Sequence, residues 1–268
     1  MYAGLRVLVV GTKASGSDLA REIASHCPAT TVHVSDRSLP ASHSSTTTAS
    51  ANLHHHPAIQ MLTPTGVVFT NAPTPIPIDA ILYCTGYAYS FPFLTAPTHV
   101  SPSGRHVRPL FKHLFSIPDA SLAFLGLPYT VIPFPLMEMQ AQWIAAVWLG
   151  EAPLPSREEQ EAWLAADLSA KAAADSGRDG DNDTRYHFLG PAQWALYEEM
   201  ICEAGVDVER RSRYVRFLRE VWEHVGKTRP TVPGAVDAYR DNVYTVDWDT
   251  LEWTVSGPHE TLESAVTE

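Results

Sequence analysis

The residues best placed to do chemistry form one short run, Gly11-Thr12-Lys13-Ala14-Ser15-Gly16, between an apolar segment and a helical pattern. In a dinucleotide-binding turn the first glycine permits the tight bend, and the last lets helix and strand pack closely. A pyrophosphate then sits over the helix N-terminus, held by backbone N–H groups and the helix dipole. Gly11 and Gly16 hold the first and third positions. Lys13 holds the middle one, where glycine normally lets the backbone approach the phosphates. Its ammonium could reach a phosphate, or its bulk could hinder one. An ordinary glycine-containing strand–helix turn would look the same.

Ser35-Asp36-Arg37-Ser38 lies about 20 residues past that turn, where an adenosine ribose is read. Arg37 with Ser35 could hold a 2′-phosphate, which favours NADP. Asp36 could instead bind a free 2′-hydroxyl, which favours NAD. A solvated turn at a strand end is the plain alternative. Other clusters carry less. His54, His55 and His56, with His43 nearby, could bind a transition metal, but consecutive histidines in a Ser/Thr-rich stretch usually face water. Asp179, Asp181 and Asp183 resemble a calcium loop, yet Thr184 stands where its glycine belongs and Gly190 where its bidentate glutamate belongs, so that reading fails. Cys84 reads as core packing rather than a nucleophile. The five arginines and two glutamates of Glu209–Glu220 read as a solvated helix face.

The elements that must position these residues follow from periodicity. Leu5 to Val10 is a β-branched apolar run, predicted as a buried parallel strand. Ser15 to Ser25 has Leu19, Ala20, Ile23 and Ala24 at helical spacing, and Thr31 to Val34 is a second strand, so a βαβ unit opens the chain. Leu39 to Pro57 has no periodicity and reads as a loop or insertion. Gly66–Thr70 and Ala80–Cys84 read as strands, separated by Asn71–Ile78, whose prolines predict a turn. Ser121–Gly126 reads as a short strand and Met137–Leu149 as a helix. Ser156 with Glu159 forms a capping-box pattern that starts an alanine-rich helix to about Ala174. A polar break spans Ser176–Thr184. Helices follow over roughly Pro191–Ala204 and Glu209–Val225, then a Pro-, Trp- and Tyr-rich tail.

At 268 residues, 45% hydrophobic, the chain can bury a sizeable core. Its net charge of −11 argues against nonspecific binding to nucleic acid or an anionic membrane. Cys27, Cys84 and Cys202 form no disulfide or zinc spacing, so a reducing compartment is the default. No apolar run is long enough for a signal peptide or a transmembrane span, and a cytoplasmic protein is expected.

A longer set of motifs adds a resemblance. Asp79-Ala-Ile-Leu-Tyr-Cys84-Thr85-Gly86-Tyr87, followed by Ser90-Phe-Pro-Phe-Leu94, closely resembles the D-x-(apolar)4-T-G-Y…(F)PFL stretch of flavin-containing monooxygenases. Ser121-Leu-Ala-Phe-Leu-Gly126-Leu-Pro128, Pro133-Phe-Pro135 and Glu138-Met-Gln140-Ala-Gln-Trp143 resemble that family's post-hinge strand and E-x-Q-A-x-W helix. Gly150 with Leu154-Pro155-Ser156 matches its usual helix end. The glycine turn with Asp18 fits its second, NADPH-side fingerprint. The resemblance covers residues 5–160 well and the C-terminal helices more loosely.

The resemblance implies an α/β fold, a Rossmann-like two-dinucleotide-binding arrangement that is incomplete here, with a helical C-terminal extension. The implied boundaries are 1–86 for an NADP-binding domain, 87–155 for the segment returning to the flavin side, and 156–268 for the helical region and tail. In the family NADPH reduces FAD, and the reduced flavin activates O2 to oxygenate soft nucleophiles such as amines and thioethers. Cofactor-binding residues implied here are Gly11, Thr12, Lys13, Ser15 and Gly16 for the pyrophosphate, Ser35 and Arg37 for the 2′-phosphate, Thr85 and Gly86 at the hinge, and Glu138 and Gln140 toward the flavin. The family's FAD-binding G-x-G-x-x-G and its F-x-G-x-x-x-H-x-x-x-Y signature are absent from this sequence. Phe188-Leu-Gly190 mimics the latter's first half, but Trp194 stands where histidine should be. The expectation is therefore a chain lacking its FAD-binding segment and inactive alone, or else a non-catalytic NADP-binding remnant or interaction module.

Overall fold

The structure is a computed structural model, describing residues 2–42, 46–47, 51–94, 99–174, 185–228 and 242–257. The chain divides into two compact units: residues 1–86 with 225–244 and 255–268, and residues 87–224 with 245–254.

The first unit is built on strand β1 (Arg6–Val10), helix α1 (Ala14–His26) and strand β2 (Thr31–Ser35). Then come β3 (Thr46–Thr47), β4 (Leu53–His56), β5 (Ile59–Thr63), β6 (Gly66–Phe69), β7 (Ala72–Ile76) and β8 (Ala80–Tyr83). One sheet has the order β3-β4-β2-β1-β8, parallel except for β3. β5, β6 and β7 form a separate antiparallel sheet. Alternation along β1 explains the layering. Val7 and Val9 pack on Ala20, Ile23 and Ala24 of α1. Leu8, facing the other way, packs on Val67 and Phe69 of the antiparallel sheet. Leu19 of α1 turns outward.

Three expectations need correction. Within the stretch read as a loop, β4 pairs in parallel with β2, His54 opposite His33 and His56 opposite Ser35. His56 is buried, its ring stacked on Phe69 at 4.1 Å and 3.0 Å by nitrogen from His33. These imidazoles act as strand-filling aromatics, which polarity alone hides. Asn71–Ile78, expected to turn, carries β7. Its prolines are tolerated because β7 is an edge strand, where a missing N–H leaves no ladder bond unmade. Ser121–Gly126 is not a strand; the segment makes one isolated bridge, Phe115 to Ala123, after a turn in which Asp119 accepts from Ser121.

In the second unit a small hairpin, β9 (Leu110–Phe111) and β10 (Phe115–Ser116), lies beside helices α2 (Pro133–Trp148), α3 (Arg157–Ala174), α4 (Gln193–Ala204) and α5 (Val208–Thr228). A last pair, β11 (Val243–Val246) and β12 (Trp253–Ser256), closes the described chain. α2 begins four residues before the expected start, because Pro133 and Pro135 fit a first helical turn that needs no N–H donors. At α3 the expected capping box is formed: Ser156 N–H donates to Glu159 at 2.8 Å, and Glu159 N–H to the Ser156 hydroxyl at 3.3 Å. One core joins Phe111, Leu114, Phe115, Leu136, Trp143, Tyr197 and Met200, with Trp163 against it. It therefore runs across residue 155. Trp148, by contrast, is exposed and bonds the Ala120 carbonyl. The aspartates 179, 181 and 183 and the polar break lie outside the described residues, as does His43. No described helix is long and apolar enough to cross a membrane.

Candidate functional site

Three parallel strand ends meet at Gly11. β1 stands between β2 and β8, so the chain leaves it to one side for β2 and returns on the other as β8. Such a reversal of strand order opens a crevice at the carboxyl ends of the strands, the usual ligand position in an open α/β sheet. Gly11 N–H donates to the Ser35 carbonyl at 3.1 Å, and Cys84 N–H to the Val10 carbonyl at 2.8 Å. The first bond ties the turn to β2 and the second ties the end of β1 to β8.

The two glycines are required by space. Gly11 has φ +103°, and a Cβ there would lie 2.5 Å from the Cys84 carbonyl oxygen. A Cβ on Gly16 would lie 1.8 Å from the Gly11 carbonyl oxygen. The helix thus starts closer to the strand than any side chain allows. Lys13 is the N-cap residue, its backbone extended and its side chain making no capping bond. The first-turn N–H donors of α1 are consequently uncapped by a side chain, as a phosphate-binding helix start requires. Lys13 and Ser15 are exposed beside them, and the Thr12 carbonyl accepts from the Ser17 hydroxyl.

The end of β2 is less uniform. The Ser35 hydroxyl is buried and donates to the Pro57 carbonyl at 3.1 Å, so it does not face the crevice with Arg37, which is exposed. Asp36, half-buried, accepts from Ser38 N–H at 2.8 Å and from the Ser38 hydroxyl at 2.7 Å. Burial pushes its carboxyl pKa up, but the donors of Ser38 and Thr12 outweigh this and hold it below the usual carboxylate range. Thr85 and Gly86 follow β8 and are exposed. The residues expected around the pyrophosphate, ribose and hinge therefore lie at the carboxyl ends of β1, β2 and β8, apart from the Ser35 hydroxyl.

Glu138 and Gln140 sit on α2, in the second unit. Being two residues apart, they point about 200° apart around the helix. Glu138 is exposed, accepting from Gln142 and 3.9 Å from Arg211. Gln140 is fully buried, its carbonyl accepting from Gly126 N–H at 2.9 Å. Glu138 is thus open to solvent, whereas Gln140 holds the turn before α2. Among the described residues no set of three His, Cys, Asp or Glu side chains could hold a metal ion.

Sequence reasoning missed a second polar centre. In Leu110-Phe-Lys-His-Leu-Phe-Ser116 the turn residues Lys112 and His113 both have positive φ, +49° and +57°. A turn of this kind ordinarily takes Asn and Gly. Here side chains compensate. Lys112, 4% exposed, pairs with Glu199 at 2.9 Å and with Glu203, and its ammonium lies over the Phe111 and Trp143 rings at 5.4 and 5.6 Å. Val107 N–H donates to His187 Nε2 at 3.0 Å, so neutral His187 carries its proton on Nδ1. His187 Nδ1 and His113 Nδ1 lie 3.3 Å apart. His113 Nε2 accepts from the Lys171 ammonium at 3.1 Å, which can only donate, and lies 3.7 Å from Asp167. Lys171 also donates to Asp167 and to the Tyr186 carbonyl, both at 2.7 Å. Burial first, then the Lys171 charge, push both imidazoles down, His187 to about 3. The signal available beforehand was two cationic residue types inside an otherwise apolar run.

A family model for flavin-binding monooxygenase-like proteins matches residues 45–186. The chain belongs to the flavin-binding monooxygenase-like family. Among its relatives in that family, flavin-containing monooxygenase FMO GS-OX-like 2 of Arabidopsis thaliana is 44% identical over 155 residues, 57% of this chain and 33% of that protein. FMO GS-OX-like 6 of the same plant is 33% identical over 222 residues, 82% of this chain and 45% of that protein. The solved structure of S-allyl-L-cysteine S-oxygenase from Allium sativum is similar with TM-score 0.70 at 30% identity, over 93% of this chain and 53% of that one. Tmm from Pelagibacter sp. strain HTCC7211, at 18% identity and TM-score 0.62, shares the fold over 99% of this chain and 55% of its own. The mixed α/β architecture is thus that of a flavin monooxygenase, and the chain spans from a third to about half the length of these relatives.

Proposed function

We propose that this chain supplies the nicotinamide-dinucleotide-binding part of a flavin-dependent monooxygenase that oxygenates soft sulfur or nitrogen nucleophiles with O2. The carrying observation is the turn at Gly11, where two glycines leave no room for a Cβ and the start of α1 has no side-chain cap. The family carries a flavin of the FAD type; when bound, the nicotinamide supplies hydride and the flavin supplies oxygen activation. This chain's own part is to seat a pyrophosphate on the α1 N–H groups. Lys13 and Ser15 add donors beside it, Thr12 and the residues after β2 face the ribose, and Thr85 with Gly86 ends the neighbouring strand. The named substrate of the Allium sativum neighbour supports a thioether as the nucleophile.

Isothermal titration with nicotinamide dinucleotides tests the reading, together with mass-spectrometric detection of a sulfoxide when FAD, a reduced nicotinamide dinucleotide, O2 and a small thioether are supplied. Saturable binding is expected for the native chain and its loss for Gly16→Val. A folded native chain that binds neither dinucleotide would overturn the proposal. Binding without sulfoxide would assign the chain nucleotide binding alone.

A further inference from the structure

The turn after β1 determines where a dinucleotide's phosphates sit, and the residue after β2 determines which ribose can lie beside them. β1 and β2 run in register, Val10 opposite Ser35. The next residue, Asp36, therefore stands beside the glycine turn at the carboxyl ends of the two strands. Its backbone is held by a 2.9 Å bond from its N–H to the His56 carbonyl, so the position is braced by β4 as well. Its carboxylate is clasped by the N–H and hydroxyl of Ser38 and linked to the Thr12 hydroxyl within the glycine turn. The carboxylate is thus held between Ser38, two residues along the chain, and Thr12 of the turn.

The groups that would welcome a 2′-phosphate at this place are fewer than the sequence suggested. Ser35 has its hydroxyl buried on the Pro57 carbonyl. Arg37 is exposed one residue further along. An anionic phosphate would meet the Asp36 carboxylate first, whereas a ribose with free hydroxyls would give that carboxylate hydrogen bonds to accept.

Resting on the nucleotide-binding reading above, we propose that Asp36 is a specificity-determining residue that makes this site prefer NAD(H) to NADP(H). The preference comes from one carboxylate that accepts hydrogen bonds from ribose hydroxyls and repels a 2′-phosphate. Its expected size is on the order of tenfold in affinity, the scale of one gained or lost charged hydrogen bond.

The full chain is titrated calorimetrically with NAD+ and with NADP+, then repeated for Asp36→Asn, which keeps the shape and the acceptor for Ser38 but removes the charge. Asp36→Ser serves as a second variant should the first fail to fold, with circular dichroism as the check. The native chain is expected to bind NAD+ about tenfold more tightly. Either variant should raise NADP+ affinity and close or reverse that gap. A native chain that prefers NADP+, or variants that leave the ratio unchanged, would overturn the role of Asp36 while the nucleotide site stands. No binding of either nucleotide by the folded native chain would remove the site itself, and this proposal with it.

Discussion

At Gly11 the chain bends with φ +103° because no atom occupies the Cβ position, while at Lys112 and His113 it bends with positive φ although both carry long side chains. The first turn is made by subtraction. Backbone approaches backbone, and donors are left over for a ligand. The second is made by addition: two ammoniums, three carboxylates and two imidazoles surround it, Lys112 paired with Glu199 and Glu203, and His113 set among His187, Lys171 and Asp167. The two therefore break in opposite ways. Adding one carbon should ruin the first, and removing one charge should ruin the second. A region built by subtraction leaves a vacancy suited to binding, whereas one built by mutual saturation is suited to holding a fold.

The largest effect is expected at Gly16. Gly16→Ala places a carbon 1.8 Å from a backbone oxygen that no rotamer change can move. A loss of roughly 3–5 kcal/mol is expected in urea unfolding, together with loss of nucleotide binding. Gly86→Ala sharpens the point, since it also has positive φ, +89°, but an added Cβ would meet nothing within 4 Å. Its expected cost is about 1 kcal/mol of backbone strain alone. Equal costs at the two sites would sink the claim that close approach, rather than conformation, constrains the turn.

Lys112→Met comes next. It keeps the stem length but strips the charge from Glu199, Glu203 and two aromatic faces. Both glutamates reach water, so the cost falls below that of a fully buried pair, to about 2–3 kcal/mol. All seven tryptophans lie in the second unit, at residues 143–253, so intrinsic fluorescence reports on this region. A thermal midpoint unchanged by the substitution would show that the core tolerates this turn without its ion pairs.

The last effect is graded by pH. Burial, first among the causes, lowers His187 to about 3 and His33 to about 4, and His113 well below its ordinary value. These rings stay neutral in the folded chain, while in the unfolded chain they take up protons as pH falls through about 6.5. The unfolded state then binds more protons, so stability is full above about 6.5 and declines as pH drops toward 4. The decline is at most about 1.4 kcal/mol per pH unit for each histidine. His187→Gln should flatten the acid limb of a fluorescence-monitored stability curve. An unaltered limb would mean that His187 carries no part of the acid sensitivity.

Much of this was legible in the chain itself. Short-range periodicity placed β1, α1 and β2, because a buried strand and an amphipathic helix announce themselves within a few residues. The capping box at Ser156 was readable for the same reason. Histidines 54–56 were misread because their partners, His33 and Phe69, lie far away in sequence, and polarity says nothing of a stacking neighbour. Lys112 and His113 were passed over because positive φ is a property of the backbone path, which their side chains do not advertise. For Gln140 the family motif implied a flavin contact; what the packed helix adds is that its carbonyl accepts from Gly126 N–H.

The amino-acid sequence by itself determined the glycine turn, the elements flanking it and the motifs that mark the family, since each is written in adjacent residues. The tertiary structure decided which groups those elements present. It buried the Ser35 hydroxyl, set Asp36 beside the turn, and closed the Lys112–His113 centre. Each of those outcomes depends on strand register and on which distant atoms supply hydrogen bonds, and neither is encoded within any one segment.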